Sequence, residues 1–187
     1  MFRRGEVIAT SNDILTFWFD EAGPKKWFQR SDAFDAEIRR RFEETSLSLS
    51  TDSQGWQSSP ESSLALIIAL DQFPRNMYRG TTASFAFDAK ALSYAQAMTD
   101  KGWDLKIDQS RRAFAYMPFM HAEDISFQNE CVRLMDMRLD NENNLHHAKE
   151  HRKVIKRFGR FPHRNAILGR ESTPEEITFL KNGGYAP

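Results

Sequence analysis

The chain has one cysteine in 187 residues, no excess of charge, and no apolar run of membrane-spanning length. One thiol cannot close an internal disulfide, which fits a reducing compartment, and the expected location is cytoplasmic. With 26 basic and 26 acidic side chains, the protein lacks the overall field that gathers nucleic acid or anionic lipid. The LALIIAL stretch at residues 64–70 is far too short to span a bilayer, and no membrane partner is expected. The N-terminal MFRRGEVIATSND has arginines but no apolar h-region, so no signal peptide is expected. A phosphate-binding glycine loop, a serine elbow and a dinucleotide fingerprint are all missing, and no cofactor is implied. No segment alternates in the manner of a strand.

What is present is helical periodicity over nearly the whole length, in a chain long enough for one buried core. Residues 1–187 read as a single domain. Ser11-Asn12-Asp13 can cap a short helix bearing Ile14, Leu15, Phe17, Trp18 and Phe19, which Gly23-Pro24 breaks. Phe34, Ile38 and Phe42 fall on one face of the next helix, which the SLSLSTDSQG segment should end. Ser58 and Glu61 have capping-box spacing ahead of a helix that is apolar all round, expected to be central and to stop at Pro74. An alanine-rich helix ends near Gly102. Another opens at Asp108 and should kink or break at Pro118. Helices through Phe127–Met135 and Asn144–Phe158 follow. Thr173, Pro174 and Glu176 then open a final short helix. Seven or eight helices with short connections make an all-α domain of antiparallel helix pairs.

Two segments repeat one another. FPRNMYRGT at residues 73–81 and FPHRNAILGRES at 161–172 both run Phe-Pro, Arg-Asn, Gly beside Arg, then Ser or Thr. They read as equivalent corners of two helix-turn-helix layers, a solenoid-like arrangement. Arg75 and Arg79 in one, with Arg160, Arg164 and Arg170 around the other, are fixed charges with forks suited to carboxylate or phosphate. Either they share an anion site, or each clamps a carboxylate such as Asp71 or Glu123 for structural reasons.

Three other groups could carry chemistry. In MPFMHAED, His121 and Glu123 follow the Pro118 break, where a His–carboxylate pair can do acid–base work; alternatively the acids only favour a helix start. HHAKEH places His147, Glu150 and His151 in an H-x-x-E-H pattern, for which the short C-terminal tail would have to supply the third ligand, with Glu171, Glu175 or Glu176 as the candidates. A core role for His151 explains the spacing better, and no metal is expected. Cys131 lies in an apolar stripe and reads as inert core. The aromatic runs 17–19 and 27–28 read as core or as a binding platform. The basic face of Lys149, Lys153 and Lys156 reads as a solvated helix face.

These blocks, ILTFWF, FDAEIRRRF, LALIIALDQFPRNMYRGT, FAFDAKAL, AYMPFMHAED and RFGRFPHRNAILGREST, resemble the bacterial domain-of-unknown-function family 924 from about residue 13 to 180. The resemblance implies an all-α fold similar to the tetratricopeptide-repeat superhelix. It brings no activity, substrate or cofactor, and the fold analogy alone suggests peptide or protein binding. Its pattern includes His151 but not His147. The combined expectation is one polar pocket walled by Arg75, Asn76, His121, Glu123, His151, Arg157, Arg160, His163, Arg164 and Asn165, for a small anion or an acidic peptide end. An enzyme would use His121, Glu123 or His163 as its acid–base group in the same pocket. In a protein-interaction scaffold the arginines would be purely structural.

Overall fold

Helix α4 (Pro60–Met77) is the axis of the molecule, because the side chains from Leu64 to Leu70 are all at most 1% exposed. Each leucine or isoleucine among them stabilises the fold by about 1.5–3 kcal/mol on leaving water. In this computed structural model, residues 8–27 and 29–186 are described. The arginines of the N-terminal MFRRGEV stretch and Phe28 of the second aromatic run lie outside them.

The remaining helices follow in chain order, some of them packed directly on α4. Helix α1 (Ser11–Leu15) runs on through a π-helical turn, Thr16–Ala22, and α2 (Pro24–Trp27) follows. Then come α3 (Asp32–Thr51), α5 (Asp88–Asp100), α6 (Gln109–His121), α7 (Ile125–Arg138), α8 (Glu142–Phe158) and α9 (Pro174–Lys181). From α3 to α8 each helix packs on the next, and α1 and α6 also lie on α4. Short linkers such as residues 122–124 between α6 and α7 turn the chain back on itself. The fold is all-α, and the described residues contain no strand. Among them no helix is long and apolar enough to cross a membrane.

Local chemistry sets the boundaries. Thr10 caps α1 with Asp13 answering in a capping box. Ser59 and Ser62 form the box that opens α4, one residue later than the Ser58–Glu61 spacing suggested. Thr173, Pro174 and Glu176 open α9 as expected. The described members of the aromatic runs belong to the core, where Trp18 is wedged among Phe34, Phe73, Phe114 and Trp27.

Three expected boundaries are corrected. The SLSLS stretch is the last part of α3, because Ser46, Leu49 and Ser50 are buried there. Pro74 and Pro118 lie inside α4 and α6 rather than ending them. Each proline removes one N–H, but both sit in the last two turns among buried side chains that hold the helix together. Past Pro118 the Gln128 amide donates to the carbonyls of Met120 at 2.6 Å and Ala122 at 2.8 Å. The two Phe-Pro segments are consequently not equivalent. Residues 73–77 are helix, whereas 161–172 is a loop with one 3-10 turn, Pro162–Arg164.

Candidate functional site

The C-terminal ends of α4 and α6 meet the start of α5 and the 161–170 loop. A cleft of about 350 Å³ opens there. Its apolar walls are Phe85, Leu92, Pro118, Phe127 and Leu168, and its polar groups are Asp88, His121, Glu123, Asp124 and Arg164.

At its floor lies Asp71, fully buried on α4. His121 Nδ1 is 2.8 Å from Asp71 Oδ1, and Gln72 Nε2 donates to Oδ2 at 2.5 Å. A carboxylate can only accept here, so Nδ1 carries the imidazole proton and Nε2 keeps its lone pair. No described residue bonds Nε2. Burial alone would raise the Asp71 carboxyl, but the Arg75 charge and the hydrogen bonds from His121 and Gln72 hold it below the usual carboxylate range. Burial, then the Arg75 charge, push His121 below its ordinary 6.5, against the pull of Asp71. The imidazole is neutral at pH 7, poised to accept a proton at Nε2.

Arg75 closes this floor. It donates to both oxygens of Asp88, at 2.9 and 3.0 Å, and to the Asp71 carbonyl at 2.6 Å. Arg164 is different. It is 6% exposed, donates through Nη1 to the His121 carbonyl at 3.1 Å, and lies 3.8 Å from Asp88. Its Nε is buried without a partner among the described residues. The guanidinium is held between the rings of Phe85 and Phe161, 4.7 and 4.5 Å from their centroids. Burial, reinforced by the Arg75 charge, lowers it to about 10.

The ten residues expected to line one pocket are therefore divided. Arg75, His121, Glu123 and Arg164 converge on the cleft or its floor. The pairing of His121 with Glu123 is corrected: Glu123 accepts from the Phe161 N–H at 2.7 Å and from both Arg170 terminal nitrogens. Its oxygens are occupied in pinning the 161–170 loop to the end of α6. Asn76 turns away to Asp35 on α3, which Arg79 also grips. Arg157 pairs with Glu175 at the surface. Arg160 and Asn165 converge on Glu176, and Arg160 also reaches the Glu171 carbonyl. His163 packs beside Phe161, its Nδ1 buried and unpartnered among the described residues, and burial lowers it to about 4.

His151 stands behind His121, with the ring centres 6.5 Å apart. Its Nδ1 bonds the His147 carbonyl at 2.8 Å, and burial lowers it to about 3. The Tyr185 hydroxyl meets His147 Nδ1 at 2.8 Å and His151 Nδ1 at 3.3 Å, while Glu150 goes to Lys153. Among the described residues no three His, Cys, Asp or Glu side chains gather as metal ligands. Cys131 is buried against the Tyr116 carbonyl, and burial raises its thiol well above the ordinary value.

Sequence reasoning missed Asp71 as the partner of His121, and it missed Asp88 and Phe85 altogether. The available signal for Asp71 was a carboxylate directly after seven apolar residues of a helix buried all round.

The family described as "Bacterial protein of unknown function (DUF924)" matches residues 14–184, and the chain belongs to it. A solved structure of a protein of unknown function from Agrobacterium tumefaciens is 44% identical, with a TM-score of 0.88 over 92% of this chain and 97% of that one. No curated protein matches the chain.

Proposed function

We propose that the cleft binds a small organic monoanion, its acid group against Arg164 and its apolar body against Phe85, Leu92, Phe127 and Leu168. The observation that carries this reading is the under-satisfaction of Arg164. A buried guanidinium with one carbonyl, a distant carboxylate and an Nε unpartnered among the described residues is expensive to keep, and an anion at its terminal nitrogens would offset that cost. The cleft's size falls at the lower end of the about 300–1,000 Å³ usual for small-molecule sites, and its mixture of walls suits such a ligand. A single charge fits better than a polyphosphate, because Asp88, Glu123 and Asp124 are close by. An acidic peptide end has the same chemistry at its terminus. The neutral overall charge favours neither nucleic acid nor membrane as partner. The lone buried thiol suits a cytoplasmic protein.

The test is a thermal-shift panel of hexanoate, benzoate, inorganic phosphate and ATP on wild type and Arg164→Gln. The monocarboxylates should raise the melting temperature of wild type in a concentration-dependent manner and leave the variant unmoved. An equal response in the variant, or none in wild type, overturns the reading.

A second reading is favoured by the Asp71–His121 contact. An oriented neutral imidazole with Nε2 free is the arrangement of a general base, Asp71 stabilising the imidazolium as it forms. In this reading the bound acid is a substrate. Turnover found in a carboxylic-acid substrate screen should then disappear in His121→Gln while the melting temperature stays close to wild type.

A further inference from the structure

The charges around His121 are already balanced before any ligand arrives. Arg75 on α4 and Arg164 in the 161–170 loop face Asp71 on α4 and Asp88 on α5. Glu123, in the linker after α6, is matched by Arg170. His151, the titratable group that α8 turns toward His121, is neutral. At the rim, Asp124 caps α7 through Ser126 and adds a negative charge. An anion docked on Arg164 adds another in a site walled by Phe85, Phe127 and Leu168. The group able to answer it is the imidazole, whose Nδ1 is held by Asp71 and whose Nε2 has no partner among the described residues.

We propose that the cleft takes up its anion together with one proton, His121 becoming an imidazolium as the ligand's acid group settles on Arg164. The proton comes from solvent or buffer and goes to Nε2. The product is an Asp71–imidazolium–anion row in which both ring N–H groups have an acceptor. This rests on the anion-site reading and adds a rule to it: the cleft discriminates by pH. A ligand entering as the free acid would bring the same proton with it.

Linkage fixes the direction. If the complex holds one more proton than the free protein, affinity rises as pH falls, by up to about tenfold per unit for one proton. Hexanesulfonate is the decisive probe, because its acid group does not titrate in the range used, and hexanoate is its carboxylate counterpart. Dissociation constants measured by titration calorimetry from about pH 8 to about pH 6, the span over which an unperturbed imidazole begins to charge, should fall steadily for both. At a given pH, the observed heat should change with the ionisation enthalpy of the buffer. His121→Gln should bind both probes with an affinity that no longer depends on pH. In wild type, imidazole nitrogen shifts followed by NMR should show His121 titrating at higher pH with hexanesulfonate than without it, a measurement that needs no variant to fold.

The outcomes separate the two ideas. Arg164-dependent binding with a flat pH profile and an unmoved His121 titration overturns the proton uptake and leaves the anion site standing. Absence of binding by either probe throughout the range overturns the anion site and the proposal together.

Discussion

Arg160 donates through Nε and Nη2 to both oxygens of Glu176, whereas Arg164, four residues later, is more deeply buried and reaches its nearest carboxylate only at 3.8 Å. Both come from the same arginine-rich stretch. Around Arg160 the carboxylate is fully engaged: Glu176 also accepts from the Thr173 N–H that it caps and from Asn165. Around Arg164 one side is aromatic, one is a carbonyl, and one is the cleft. The closed corner joins α9 to the 161–170 loop. The open corner keeps a charge where a ligand could use it. Arginine content alone does not distinguish scaffold from site; the degree to which each fork is satisfied does.

The contrast can be broken at several points. The largest effect is expected at the floor of the open corner. Asp71→Ala strands Arg75 beside one carboxylate and frees His121, and should lower unfolding free energy by about 3–5 kcal/mol in urea denaturation. In the closed corner, Glu176→Ala removes an α9 cap and one partner of Asn165. A loss of about 2–3 kcal/mol is expected, with non-additivity toward Arg160→Ala in a double-mutant cycle.

Acid tests the histidines that lie between the two corners. The unfolded chain takes up protons on these imidazoles as pH falls below the ordinary 6.5, while in the folded state His163 waits until about 4 and His151 until about 3. Stability is therefore greatest above 6.5 and should decline from there down toward those folded values. The depressed carboxylates are a separate loss: Glu176, held at about 2 chiefly by Arg160, stabilises above the usual carboxylate range and ceases to as pH falls through its folded value. His151→Gln should make the histidine part of the melting-temperature profile shallower, the His163 share remaining, and leave the more acidic part in place.

The smaller effects discriminate best. Arg164→Gln should change the stability of the ligand-free protein by no more than about 1 kcal/mol, since a poorly satisfied buried charge contributes little or is unfavourable. A loss of several kcal/mol would make Arg164 a scaffold element like Arg160. Smallest of all, Arg157→Ala breaks a half-exposed pair with Glu175 and should stay within about 0.5 kcal/mol of wild type.

Much of this was legible in the residues. Phe34, Ile38 and Phe42 are buried on one face as their spacing required, and Thr173-Pro174-Glu175-Glu176 wrote its own capping box. The prolines misled because propensity is local. Pro74 and Pro118 each weaken one turn, but Phe73 and Phe119 on either side of those turns are buried, and packing outweighs a missing hydrogen bond. The repeated Phe-Pro segments misled in another way. Identical letters carry the same chemistry but not the same conformation, so one became helix and the other loop. They still meet, because Arg75 and Arg164 both approach Asp88.

Most of the helices, the apolar axis at residues 64–70 and the supply of arginines could be read from the residues alone, since periodicity and capping depend on neighbours within a turn or two. It took the packed molecule to show that His121 pairs with Asp71, 50 positions earlier, rather than with Glu123, and that Arg164 alone of the five repeat arginines lacks a close carboxylate. Those outcomes depend on which helix ends meet and how far each charge is withdrawn from water. Distances between remote segments and the local dielectric set both, and neither is a property of any short stretch of chain.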